Sequence, residues 1–133
     1  MVVKIGIIGG SGLDNPELFM NPKDFAARTQ WGDPSSLLKL GKIAGIDVVL
    51  LGRHGRGHTI PPTQVNYRAN IQALKNWGAE LIIGVNVVGG VDKKLKPGAV
   101  QLVDDFIDFT HGRADTFFDG VQEGGVQHID MTY

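Results

Sequence analysis

The chain opens on an apolar run, Val2-Val3-Lys4-Ile5-Gly6-Ile7-Ile8, that passes directly into Gly9-Gly10-Ser11-Gly12-Leu13. A run that is nearly continuous, rather than alternating, predicts a strand covered on both faces. Leu37-Leu38-Lys39-Leu40-Gly41-Lys42-Ile43 and Ile46-Asp47-Val48-Val49-Leu50-Leu51 are two more strand-like runs. They meet at Ala44-Gly45 and predict a hairpin. Between the first strand and this hairpin, Asp14-Asn15-Pro16-Glu17 reads as a loop or helix start. The stretch up to Arg28 has little periodicity, and Trp31-Gly32-Asp33-Pro34-Ser35-Ser36 is rich in turn formers.

Asn66 to Trp77 predicts a helix, with Ala69, Ile71, Ala73, Leu74 and Trp77 as its apolar positions and Gly78 as its stop. Leu81-Ile82-Ile83-Gly84-Val85-Asn86-Val87-Val88 predicts a buried strand ending in Gly89-Gly90. Pro97-Gly98 turns into the strand-like Ala99-Val100-Gln101-Leu102-Val103, with Phe106-Ile107 after it. His111 to Tyr133 reads as irregular. This order of elements predicts an α/β chain, a central mixed β-sheet flanked by helices. Ligands of such sheets bind beyond the carboxyl ends of the strands. Gly9–Gly12, Arg53–His58 and Asn86–Gly90 all fall at such ends.

Composition narrows the choice. A length of 133 residues suits a single domain, and 42% hydrophobic with 20% charged residues is an ordinary globular balance. A net charge of −1 argues against a dedicated nucleic-acid surface and against an anionic membrane surface as partner. No stretch approaches a membrane span, and the start does not read as a secretory signal. There is no cysteine, which removes disulfides, thiol nucleophiles and thiolate metal sites and is compatible with a cytoplasmic setting. Nineteen glycines imply many special turns.

Three segments carry the candidate chemistry. Bare amides in the Gly9-Gly10-Ser11-Gly12 turn can close around an anion, with the Ser11 hydroxyl beside them. A tight turn without a ligand reads equally from these residues. The spacing is neither the dinucleotide G-x-G-x-x-G nor a P-loop, since no Gly-Lys-Ser/Thr follows. Arg53 and His54 follow a strand directly: arginine offers a rigid fork of donors and histidine a tunable one, the ingredients of a phosphate site or of a solvated basic loop. Arg56 and His58 read as rim residues. Asn86 is the polar exception in an apolar run, a ligand contact or a strand-end cap. The histidines at 54, 58, 111 and 128 have no metal-ligand spacing, so no metal site is expected.

Taken together, these segments resemble the methylthioadenosine phosphorylases of the trimeric purine nucleoside phosphorylase family. The resemblance rests on Lys4–Leu13, on Arg53-His54-Gly55 with His58, Pro61-Pro62 and Val65–Asn70, and on Asn86–Val91. Phe106-Ile107-Asp108, Arg113, Thr116-Phe117-Phe118 and His128-Ile129-Asp130 extend it. The Asn86 and His128-Ile129-Asp130 variants look closest to a bacterial branch that includes methylthioinosine phosphorylases.

The resemblance implies phosphorolysis: inorganic phosphate, a co-substrate and not a cofactor, attacks C1′ of a nucleoside as an oxocarbenium-like centre develops. Products are a free purine and 5-methylthioribose 1-phosphate. It implies phosphate contacts from Ser11, Arg53, His54, Asn86 and Val87, with Val87 where the family usually has alanine. His128 corresponds to a residue that reaches the ribose site of a neighbouring subunit, or is a surface histidine. A homotrimer is implied, acting on a nucleoside and phosphate. The chain corresponds to the N-terminal half of such a protein, so the leaving-group residue has no counterpart here. A phosphorylase, a truncated half that keeps a phosphate pocket without turnover, and a generic nucleotide-binding domain are the three functional readings.

Overall fold

The computed structural model describes residues 3–10, 12–13, 19–121 and 123–128. Among these residues five strands form one mixed sheet: β1 (Lys4–Gly9), β2 (Met20–Phe25), β3 (Leu38–Ile43), β4 (Ile46–Gly52) and β5 (Leu81–Gly84). Their order in the sheet is β2-β3-β4-β1-β5. β1 lies centrally, parallel to both β4 and β5, with Gly9 opposite Gly52 and Ile8 opposite Gly84. β3 runs antiparallel to β4, and Ala44 and Gly45 turn between them with φ of 49° and 82°. A two-residue turn with both central φ positive matches the right-handed twist of a hairpin.

β4 alternates between the two sides of the sheet. Val49 and Leu51 join Leu38, Ala73 and Leu74 on the helix side, while Val48 and Leu50 pack with Phe19 on the other. The helix α1 (Tyr67–Trp77) lies close because β1 carries Gly6 beneath it: a side chain there would meet Leu74 Cδ1 at 3.2 Å. Asn66 caps the helix, its side-chain oxygen accepting from the Ala69 N–H at 3.1 Å. Gly78, at φ 96°, ends it; the amides of Gly78 and Ala79 donate to the carbonyls of Lys75 and Leu74.

Several expectations need correction. β2 lies in the stretch that shows no periodicity. It is an edge strand with all six residues exposed, a proline within it and an irregularity between Met20 and Lys23, so its sequence carries no alternating signal. Asp14–Glu17 lies outside the described residues. β5 stops at Gly84 instead of Val88, and Ala99–Val103 forms no strand. Among the described residues no strand pairs with the outer edge of β5, and an apolar run without a neighbour to satisfy its backbone stays irregular. Leu102 there is 97% exposed.

The expected helical flanks reduce to α1 and a short 3-10 turn, Pro62–Gln64, among the described residues. On α1 the buried face is Ala69, Asn70, Ala73 and Leu74, whereas Ile71 is exposed. The later chain is irregular but tied to the start of α1. Arg68 donates to Asp119 at 2.8 Å and stacks over Trp31; Trp31 meets Phe117 edge-on, and Arg113 donates to the Tyr67 hydroxyl. No helix among the described residues is long and apolar enough to cross a membrane.

Candidate functional site: a cationic cleft at the carboxyl ends of the parallel strands

The parallel register brings three chain reversals to one edge of the sheet. Gly9 ends β1, Gly52 ends β4 and Gly84 ends β5. The ladder continues past these ends: Arg53 N–H donates to Gly9 O at 2.9 Å, and Val85 N–H to Ile8 O at 2.9 Å. Arg53 is therefore fixed directly beside the Gly9-Gly10 turn, and Asn86 on its other side.

A cleft of about 470 Å³ opens here, lined among others by Gly9, Gly10, Ser36, Gly52, Arg53 and His54. That size suits a small-molecule ligand. Among the described lining residues, Arg56 and Lys39 add positive charge against the single carboxylate of Asp24. Opposed cations around a concave site raise the local concentration of anions.

Arg53 is held from two sides. Its Nε donates to His54 Nε2 at 3.2 Å. Its Nη1 donates to Asn86 Oδ1 at 2.5 Å and to Val85 O at 3.3 Å. The remaining Nη2 lies against Gly10, where a side-chain carbon would sit only 3.2 Å from it. Gly10 thus gives the guanidinium room to approach the turn. A fork of donors fixed in this way has already lost the side-chain freedom that binding would otherwise remove.

His54 is oriented by the loop that follows it. Its Nδ1 faces Ile60 O at 2.9 Å, and its ring stacks at a tilt on His58, 5.1 Å away. With Nδ1–H donating to that carbonyl, the neutral ring accepts from Arg53 at Nε2. His54 accordingly orients Arg53 in this arrangement.

The loop itself depends on backbone positions that favour glycine. Gly55 and Gly57 have φ of 74° and 77°, and a side chain on Gly55 would meet Ile60 Cδ1 at 3.1 Å. His58 takes φ of 58° without being glycine.

Of the residues expected to bind phosphate, Arg53 and His54 line the cleft together, and Asn86 joins them through its bond to Arg53. Val87 is 92% exposed and lies outside the lining, and His128 is likewise exposed and outside it. Ser11 lies outside the described residues. Sequence reading missed Ser35 and Ser36, which form part of the cleft wall. It also missed Asn70, whose side chain accepts from Ser35 N–H at 2.7 Å and donates to Ser35 Oγ at 2.9 Å. The available signal was Asn70 itself, a polar residue three and four positions before the apolar Ala73 and Leu74.

Comparison with known proteins identifies the family of this chain. A family model described as the phosphorylase superfamily matches residues 4–133. S-methyl-5′-thioadenosine phosphorylase from Thermofilum pendens is 50% identical over 129 residues, covering 97% of this chain and 48% of the relative. The protein of the same name from Danio rerio is 49% identical over 131 residues, covering 97% and 47%. The solved apo methylthioadenosine phosphorylase from Schistosoma mansoni superposes with a TM-score of 0.83 at 42% identity, covering 96% of this chain and 44% of that one. The chain therefore spans about half the length of the curated relatives it matches. With the family model matched across nearly all of its residues, and the mixed sheet shared with a solved relative, the chain belongs to the phosphorylase superfamily.

Proposed function

We propose that this chain forms the phosphate-binding part of a purine nucleoside phosphorylase. The enzyme would use inorganic phosphate to cleave S-methyl-5′-thioadenosine or S-methyl-5′-thioinosine into free purine and 5-methylthioribose 1-phosphate. One observation carries the reading: Arg53, braced by His54 and Asn86, faces the glycine turn at the carboxyl ends of the parallel strands. The names of the relatives supply the substrate class.

In this reading the glycine-turn amides, the Ser11 hydroxyl and the Arg53 fork hold a phosphate dianion. The backbone about Asn86 and Val87 forms the floor. Held below C1′, the dianion both stabilises the developing cation and attacks it, so positioning and charge do the catalytic work. His128 is proposed to complete the ribose site of a neighbouring subunit in a homotrimer, which fits its exposure here. The setting proposed is cytoplasmic.

The test is phosphorolysis by the purified chain, offered methylthioadenosine and methylthioinosine with and without phosphate. Phosphate-dependent release of free purine supports the full reading. Saturable phosphate binding without release would support the narrower one, a half that keeps the phosphate pocket but not turnover. A folded chain that neither binds phosphate nor releases purine refutes both.

A further inference from the structure

Asn70 is the one buried polar side chain among the described residues, 1% exposed on the helix face that otherwise presents Ala69, Ala73 and Leu74 to the core. An amide placed there costs stability unless its polar atoms are paired. Both ends of it are spent on a single residue: Oδ1 accepts from Ser35 N–H at 2.7 Å, and Nδ2 donates to Ser35 Oγ at 2.9 Å. One turn earlier on the same helix, Asn66 Nδ2 donates to Trp31 O at 2.7 Å. The two asparagines clasp the 31–35 turn against α1.

What that clasp controls is the start of the basic loop. Ser36, the next residue, accepts the Gly52 N–H on its Oγ at 2.9 Å. Ser35 O lies 3.2 Å from where a side chain on Gly55 would sit, so the same turn also runs close to Gly55, just past Arg53 and His54. Gly52 and Gly55 bracket Arg53 and His54 in the chain.

We infer that Asn70 is a positioning residue for the anion cradle: it touches no ligand, but through Ser35 and Ser36 it sets where Gly52, and hence Arg53 and His54, leave the sheet. The inference rests on the phosphate reading of the cleft. An apolar core residue at 70 would have served packing alone; the amide is there because the neighbouring loop must be held in register, not merely covered.

The test titrates inorganic phosphate by calorimetry into the wild-type 133-residue chain and into Asn70→Leu, Ser36→Ala and the double variant. Thermal midpoints are recorded for each. Asn70→Leu keeps the branched side-chain skeleton and removes both bonds to Ser35. The expected result is a loss of affinity on the order of tenfold in each single variant, measured well below its midpoint. The double variant is expected to bind no more than about twofold more weakly than the weaker single, because both act through one strut.

Wild-type phosphate affinity in folded Asn70→Leu, with only its midpoint lowered, would overturn the inference and leave the phosphate reading intact. Additive losses in the double variant would overturn it as well. Should Asn70→Leu fail to fold, Ser35→Ala and Ser36→Ala form the same cycle, and additivity there refutes the strut. A wild-type chain that binds no phosphate refutes the phosphate reading and the inference together.

Discussion

Replacing Gly10 by alanine separates the site from the scaffold. Gly10 is not among the glycines with positive φ, so its backbone accepts an L-residue without strain. Among the described residues the one close neighbour of a new Cβ is Arg53 Nη2 at 3.2 Å. That atom is the tip of a flexible side chain, and it yields by a few tenths of an ångström. The cost to folding is therefore small, and the loss of glycine from the unfolded chain offsets it by about 0.4–1 kcal/mol. The guanidinium pays elsewhere: moving Nη2 away from the turn tilts a plane whose Nε and Nη1 are tied to His54 and Asn86. One charge-assisted hydrogen bond to a bound phosphate then lengthens or breaks, a loss of about 1.5 kcal/mol or slightly more than tenfold in affinity. Phosphate titration by calorimetry, paired with a thermal melt, reads both quantities. The expectation is an unchanged midpoint with weakened phosphate binding. A lowered midpoint with unchanged phosphate affinity would show that Gly10 serves the turn and not the approach of Arg53.

Other perturbations test the scaffold and the late chain. Leu74→Ala removes a fully buried side chain between α1 and β1 and should destabilise the fold by about 2–5 kcal/mol, read by denaturant titration. Asn66→Ala removes both the helix cap and the tie to Trp31 O and should cost about 1–2 kcal/mol; a cost below about 0.3 kcal/mol would mean that the clasp is idle. Asp119 is held below the usual carboxylate range by the Val121 backbone N–H first and by Arg68 second. A depressed folded-state value gives a contribution that is present above the unfolded value, about 3.9, and lost as pH falls through the lower folded value. In a Trp77→Phe background, Trp31 fluorescence should therefore stay flat from neutrality to about pH 5 and change only below about pH 4. A transition centred near pH 6 would contradict that origin.

The parts of the fold that were legible are those whose local signals agree with their environment. β4 is a continuous apolar run because both sides of the sheet at that point are covered, by α1 on one and Phe19 on the other; β1 is covered less fully than its run predicts, with Gly6 and Gly9 buried and its isoleucines half-buried. The hairpin and α1 carry their own stops, at Ala44-Gly45 and at Gly78. β2 was illegible because an exposed edge strand needs no apolar face, and its pairing comes from β3. Ala99–Val103 failed in the opposite way: the pattern is present, and among the described residues the partner is not.

The site divides similarly. Arg53 and His54 could be read because they follow a strand end, where topology alone places ligands. That Asn86 and His54 brace Arg53, each offering an acceptor to the guanidinium, depends on side-chain distances that spacing does not encode. Asn70 and Ser36 act across long sequence separations, and only the packing of α1 on the sheet brings them to the cleft.

The central claim is that phosphate binds between the glycine turn and Arg53. Side-chain and amide NMR of the 133-residue chain, titrated with inorganic phosphate, tests it most directly. The account predicts saturating shifts, with one dissociation constant, at the Gly10 amide, the Arg53 Nε–H and the His54 ring, while Arg68 on α1 and Arg113, which donates to Tyr67, stay unmoved. Absence of saturation, or saturation confined to the Arg68 and Arg113 signals, would contradict it.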